Sequence, residues 1–286
     1  MHPEVRAKRR LTVTEHDCDA VAMRYVYAVV SRRAGGVSVG VNLNPNSACN
    51  WRCVYCQVEG LTRGAGPRID LDLLGRELDR MLAAIVEGDF LATSAPEGAR
   101  VLRDVAFSGN GEPTSSPDFG AALERVVQAL ERWAPSLPIV LITNGSMVDR
   151  RAVQGSLARL ATARGEAWFK LDAATDEGLR RMNNVTTTAA RHLARLAKCA
   201  AIVPTWVQTC ALDRAGVPEP REEDAYVRAL AELVGEGVPL RGVLLYSLAR
   251  ASHQPEASEL SPASPARLER LAARLREVGL TVKVSP

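Results

Sequence analysis

From about residue 100 onward, short β-branched or apolar runs alternate with longer segments in which apolar positions recur every three or four residues. The runs predict strands over 104–108, 139–143, 168–172, 205–210 and 242–246, with an earlier one over 37–42. The 3.6-residue period predicts a helix over 71–87, where Leu71, Leu74, Leu78, Met81, Leu82 and Ile85 share one face. Further helices follow over 119–133, 149–160, 176–182, 189–200, 222–234 and 265–278, the last stopped by Gly279. Strands alternating with helices imply parallel pairing through right-handed crossovers, with both faces of the sheet covered. Six such units predict an α/β fold, a partial (β/α)6 TIM-like barrel over 31–286 preceded by an N-terminal extension over 1–30. The Pro/Ser/Ala-rich stretch 255–265 reads as a surface loop, and no internal repeat or linker-like break in composition divides the chain. In barrels of this kind the chemistry sits at the C-terminal ends of the strands, so residues just past each strand are the first candidates.

Composition narrows the class without naming a function. A chain of 286 residues, 47% hydrophobic and 24% charged, has the make-up of a globular domain and excludes disorder and fibrous repeats. Apolar runs reach only about six residues, whereas a membrane-spanning helix needs roughly twenty. Basic residues Arg6, Lys8, Arg9 and Arg10 are followed by Glu15, Asp17 and Asp19 where a signal peptide needs an apolar core, so a cytoplasmic location is expected. A net charge of +3 is too small to imply capture of nucleic acid, although the basic run itself reads either as a phosphate contact or as a solvated tail. Six cysteines are too few for a disulfide scaffold, and clustered thiols in a reducing compartment more often signal metal or redox chemistry.

Three of the six cluster. Cys49, Cys53 and Cys56 fall within eight residues, after the strand predicted over 37–42 and the loop residues Asn44, Pro45 and Asn46. A short irregular loop can aim three sulfurs at one centre, which a continuous helix, spreading them over different faces, cannot. A structural zinc takes four ligands, and the next cysteine is Cys199. An iron–sulfur cluster on three thiolates keeps one iron open for a non-protein ligand.

The segment Cys49-Asn50-Trp51-Arg52-Cys53-Val54-Tyr55-Cys56 resembles the signature of the radical S-adenosylmethionine (radical SAM) enzymes, with Tyr55 as the aromatic before the third cysteine. The resemblance implies a 4Fe-4S cluster on Cys49, Cys53 and Cys56 and S-adenosylmethionine chelated at the open iron. It further implies reductive cleavage to a 5'-deoxyadenosyl radical that abstracts a substrate hydrogen, and a reductant protein such as flavodoxin or ferredoxin. Ser108-Gly109-Asn110-Gly111-Glu112-Pro113-Thr114 resembles the family's glycine-rich motif for the methionine amino group, with Glu112 able to accept from an ammonium; the alternative is a tight turn opening the next helix. By the same resemblance Thr143, Asn144, Lys170 and Asp172 contact the cofactor, Asp172 being the preferred ribose acceptor, and Gln208 and Tyr246 flank the adenine.

The likeness continues through Tyr27 to Arg33, Gly40-Val41-Asn42, Ile142 to Ser146 and Leu171-Asp172-Ala173, and is similar to a subgroup placed with the wyosine-base-forming tRNA enzymes. Those enzymes carry extra N-terminal cysteines for a second cluster, whereas here only Cys18 precedes the motif. Cys199 sits on a helical pattern and reads as a buried structural thiol, while Cys210 and Tyr246, at strand ends, are candidate hydrogen donors to a product radical. Arg32 and Arg33 read either as a solvated hairpin edge or as guanidinium forks for a substrate carboxylate or phosphate, joined by Arg250 and His253. Substrate expectations span a nucleotide, a tRNA base, a peptide or a small metabolite. The competing reading is a non-catalytic iron–sulfur or zinc-binding module.

Overall fold

The protein was analysed as a computed structural model, which describes residues 5, 7, 10–12, 21–215 and 220–285; Cys18 and the basic residues Arg6, Lys8 and Arg9 lie outside that range. The main sheet has eight strands, in chain order β1 Val26–Ser31, β2 Gly36–Val41, β3 Leu102–Phe107, β4 Ile139–Thr143, β5 Gly165–Lys170, β6 Thr205–Cys210, β7 Leu240–Tyr246 and β8 Val282–Ser285. Neighbours in the sheet follow that same order. Every pairing from β2 to β8 is parallel, and β1 alone runs antiparallel, in register from Val26 opposite Val41 to Ser31 opposite Gly36. The six expected parallel strands are β2 to β7, and the sheet curls as the half-barrel of a partial TIM-like fold.

Two strands lie beyond the expected six. The stretch expected as an extension, 1–30, ends inside β1, because residues 26–30 are sheet. Their near-continuous burial explains the placement: Val26, Tyr27, Ala28 and Val30 are all buried, and an apolar run of that length needs cover on both faces. At the far edge, β8 follows the Gly279 turn and pairs with β7.

Helices α1 Leu71–Val86, α2 Phe119–Trp133, α3 Arg151–Thr162, α4 Asp176–Asn183, α5 Ala189–Ile202, α6 Pro220–Gly235 and α7 Pro265–Glu277 match the periodic segments within a few residues. Asp70, Thr175, Thr188 and Ser264 cap α1, α4, α5 and α7 by accepting from first-turn N–H groups, which fixes where those helices begin. The strands divide their side chains by period 2. Phe107, Leu141 and Phe169 join Leu78, Leu123 and Leu157 of the helices in the principal core, while Ala106, Val140, Trp168, Trp206 and Leu244 form a smaller cluster within the curl. Trp168 and Trp206 are register partners, and both donate their indole N–H to Glu166, at 2.8 and 3.2 Å. The 255–265 stretch is more ordered than a plain surface loop: Leu260–Pro262 pairs antiparallel with Leu212–Arg214.

Glu77 on α1 anchors the antiparallel strand. It is buried, and its carboxylate accepts from the backbone N–H groups of Arg24, Tyr25 and Val26 at 2.8, 2.8 and 3.2 Å. Removing it leaves three N–H groups at the entry to β1 without an acceptor, in a place water reaches poorly. Glu77→Ala is expected to lower stability by about 3 kcal/mol, read as a reduced urea midpoint at unchanged slope, with Glu77→Gln intermediate.

Candidate active site

The cysteine loop has almost no regular structure of its own, and neighbouring elements impose its shape. Ala48–Cys49 pairs briefly with Thr62–Arg63. Asn50 donates to Ser146 Oγ at 2.7 Å and accepts from Asn144 Nδ2 at 2.9 Å, which ties the loop to the end of β4. The N–H groups of Arg52 and Val54 donate to Asn183 and Met182 carbonyls at the end of α4. That helix stops with Asn184 in the left-handed region (φ 52°), a conformation asparagine tolerates, and Asn184 Nδ2 donates back to the Arg52 carbonyl at 2.9 Å. On the other side, Ser252 Oγ donates to the Val54 carbonyl at 2.6 Å, His253 N–H to the Cys56 carbonyl at 3.0 Å, and Gln254 Nε2 to the Val58 carbonyl at 3.2 Å. Arg52 closes the belt with two 2.8 Å bonds to Glu256.

Inside this frame, Cys49, Cys53 and Cys56 line one cavity of about 300 Å3. Trp51 N–H points at Cys49 Sγ from 3.4 Å, and Asn183 Nδ2 at Cys53 Sγ from 3.2 Å. Burial pushes the thiols up, Cys49 to about 11 and Cys53 to about 12, with Cys56 also raised. Buried thiolates at such positions are favourable at neutral pH only against positive charge in the cavity. Among the described residues no three His, Cys, Asp or Glu side chains are disposed to hold a single metal ion. The soft donor set, its hydrogen bonds to sulfur and the shared cavity fit an iron–sulfur cluster.

The glycine-rich turn after β3 forms the adjoining wall, with Gly109, Asn110, Gly111 and Glu112 all lining the cavity. Both glycines are required there. Gly109 has φ +122° and a Cβ on it would meet Asn42 Oδ1 at 2.7 Å; one on Gly111 would meet the Ala48 carbonyl at 2.2 Å. Asn42 Oδ1 accepts from both Asn44 and Asn110 N–H groups, at 3.0 and 3.2 Å, and so joins the two loops. Glu112 is buried and engaged by the protein: Thr114 N–H and hydroxyl and the Thr143 hydroxyl donate to Oε1, and Asn144 N–H donates to Oε2 at 2.6 Å. Burial raises its pKa against the pull of those bonds.

The other expected contacts divide. Tyr55, Asn144, Lys170, Gln208, Cys210 and Tyr246 line the same cavity; Pro113, Thr143 and Asp172 do not. Pro113 and Thr143 are buried behind it, Thr143 orienting Glu112. Asp172, expected to face a ribose, binds the protein instead. Its Oδ2 accepts from the Tyr55 hydroxyl and from Asn183 Nδ2 at 2.8 Å, and its Oδ1 from the Cys210 N–H at 3.0 Å. Lys170 Nζ lies 4.9 Å from the Tyr55 ring centroid and 3.5 Å from the Tyr246 hydroxyl. Burial works against its charge, while Coulombic attraction to Tyr246, Asp172, Cys53 and Cys210 raises its pKa on balance. Gln208 is buried on β6, and among the described residues its Oε1 has no partner. Cys199 lies fully buried in the principal core, as expected.

Asn183, Ser252, Gln254 and Glu256 were invisible as site residues in the sequence, whereas Asn50 lay inside the cysteine motif and His253 was a candidate for the substrate side. The first four reach the cysteine loop from positions distant in sequence, Ser252 and Gln254 through main-chain carbonyls, Glu256 through Arg52 and Asn183 through Cys53 Sγ and Asp172, and only the αL-tolerant Asn183-Asn184 pair after a helix offered a local signal.

The Radical SAM superfamily model matches residues 43–234, well over half the chain and including all three cysteines and both following turns. The protein belongs to the radical SAM superfamily. Its fold is similar to that of a radical SAM methyltransferase from Sphaerobacter thermophilus, at 19% identity and a TM-score of 0.57 over 87% of this chain and 66% of that one. It is likewise similar to Streptococcus suis SuiB bound to the precursor peptide SuiA (12%, 0.56, over 86% and 48%) and to TYW1 with a lysine-pyruvate adduct bound (16%, 0.54, over 85% and 74%). A stretch of 132 residues is 26% identical to the GTPase Obg of Brachyspira hyodysenteriae, covering 45% of this chain and 16% of that protein. The chain therefore spans about a sixth of that curated relative and just under two thirds of the methyltransferase structure. Among the described residues no helix is long and apolar enough to cross a membrane.

Two outcomes follow from the site's geometry. Arg52→Ala removes a two-pronged charge-assisted tie, and hydrogen exchange at the amides of residues 52–56 is expected to accelerate by about tenfold. Burial, with Glu166 nearby and against Ser38 and Arg33, pushes Asp104 on the cavity wall up to about 6. Its pKa in the folded chain exceeds the ordinary 3.8, so ionisation costs stability that is lost as pH rises from about 4 to about 6. Asp104→Asn is expected to flatten that part of the stability–pH curve, measured by urea unfolding.

Proposed function

We propose that this enzyme holds a 4Fe-4S cluster on Cys49, Cys53 and Cys56 and binds S-adenosylmethionine against the turns after β3 and β4. The observation that carries the reading is that three thiols and the Gly109–Glu112 backbone face one cavity of about 300 Å3. When bound, the pair supplies a low-potential electron and, on cleavage of the sulfonium, a 5'-deoxyadenosyl radical that takes a hydrogen atom from substrate.

The protein's own groups prepare that chemistry. The Gly109 and Gly111 backbone, free of Cβ atoms, lets the methionine amino group approach main-chain acceptors, while Glu112 fixes the turn. Asn144 and Gln208 offer polar contacts, and Gln208 Oε1 is a buried acceptor suited to an N–H of the adenine. Asp172 acts through Tyr55, Asn183 and Cys210, which it holds in place. Trp51 N–H and Asn183, directed at two sulfurs, tune the potential. Cys210 and Tyr246 stand on the wall where a hydrogen donor to a product radical belongs. The electron comes from a flavodoxin- or ferredoxin-like protein. The motif resemblance to the wyosine-base-forming tRNA enzymes keeps a tRNA base among the substrates, beside nucleotides, peptides and small metabolites. A non-catalytic iron–sulfur or zinc module explains the thiols but not the glycine-rich wall facing them.

Anaerobic reconstitution followed by dithionite and S-adenosylmethionine is expected to yield 5'-deoxyadenosine by mass spectrometry. Cys53→Ala is expected to lose the bound iron, about four per chain, and all cleavage, while Cys199→Ala keeps both. Retained cleavage in Cys53→Ala contradicts the proposal.

A further inference from the structure

One stretch of the cavity wall has a different character. Ser38 and Asp104 of β2 and β3, Trp168 of β5 and the arginines Arg32, Arg33 and Arg250 line it. Arg32 and Arg33 follow the edge strand β1 yet reach the opposite side of the half-barrel. Arg32 donates to the Ser247 carbonyl at 3.3 Å, and Arg33 lies over Trp168 and Tyr246, 5.4 and 4.8 Å from the ring centroids.

Two observations point to a ligand there. Arg33 is held by its face, and among the described residues no acceptor lies within hydrogen-bond or ion-pair distance of it, Asp104 acting on it only through longer-range attraction. Stacking of this kind leaves the N–H edge of the guanidinium, which grips a carboxylate or phosphate through parallel bonds, for whatever enters the cavity. Arg32 and Arg250 add two more cations on the same wall. Burial lowers the pKa of both, and the guanidiniums lower it further by acting on one another, Arg33 on Arg32, and Arg32 and Arg33 on Arg250. An anion relieves that repulsion. The second observation is Asp104, which is 4% exposed and whose Oδ1 has no partner among the described residues. A buried carboxylate oxygen of this kind calls for a donor.

We propose that Arg33, flanked by Arg32 and Arg250, and Asp104 are the two poles of the substrate pocket. Its occupant is a small molecule with a carboxylate or phosphate at one end and an amine or other N–H donor at the other. The inference rests on the radical SAM reading of the same cavity and assigns its charged wall to the substrate.

The test uses the reconstituted holoprotein with S-adenosylmethionine bound, titrated calorimetrically with inorganic phosphate and with two matched pairs, glycine against acetate and 4-aminobutyrate against butyrate. Saturable one-to-one binding of phosphate or of a carboxylate is expected, weakened at least about tenfold in Arg33→Gln. Which anion binds distinguishes a phosphorylated from a carboxylated substrate. Each amino-carboxylate is expected to bind more tightly than its matched carboxylate in the native protein but not in Asp104→Asn. Iron content and affinity for S-adenosylmethionine are expected to stay unchanged in both variants. Absence of binding by every probe, equal binding by Arg33→Gln, or no gain from the amine overturns the inference. So does a loss of S-adenosylmethionine binding in Arg33→Gln, which assigns that arginine to the cofactor. A native protein that takes up cluster and S-adenosylmethionine but no probe fails this inference alone; one that takes up neither fails the reading beneath it as well.

Discussion

Asp172 holds the mouth of the barrel together. Its two oxygens receive the Tyr55 hydroxyl from inside the cysteine motif, the Asn183 amide from the end of α4 and the Cys210 N–H from the end of β6. A loop carrying three buried thiols cannot hold its shape by local structure, because its backbone has few partners of its own and its side chains face a cavity. One carboxylate that gathers three elements supplies the missing constraint, and Glu112 does the same for the turns after β3 and β4. The cavity follows from these two carboxylates, each engaged by several protein donors.

The same arrangement separates structure from chemistry. Carboxylates saturated by hydrogen bonds serve as scaffold. The groups facing the cavity include thiols, glycine backbone, the Gln208 amide, the Lys170 ammonium, the Asp104 carboxyl and a set of arginines, and these suit a charged cofactor and a charged substrate. Desolvation raises the thiol pKa values and works against the Lys170 ammonium, which the surrounding groups offset through Coulombic attraction.

Much of this was legible in the sequence because the signals were local. The Cys49, Cys53 and Cys56 spacing, the Gly109 to Pro113 turn and the βα rhythm each lie within a few residues of chain. What was missed depends on long-range pairing. β1 is antiparallel and owes its entry to Glu77, some fifty residues away, so periodicity alone gave no reason to add it to a parallel barrel. Asp172 sits at a strand end where ligand contact was expected, and nothing in its neighbours announces that Tyr55 and Asn183 reach it first. Residues 252–256 read as loop because their role is to bind the cysteine segment's carbonyls, a function that carries no composition signal.

The central claim is that three thiolates leave one metal position open to S-adenosylmethionine inside this cavity. Electron paramagnetic resonance of the anaerobically reconstituted, dithionite-reduced protein, recorded with and without S-adenosylmethionine, tests it most directly. The account predicts the signal of a reduced 4Fe-4S cluster whose shape shifts when S-adenosylmethionine is added. A fully reduced cluster whose signal is indifferent to saturating S-adenosylmethionine contradicts it.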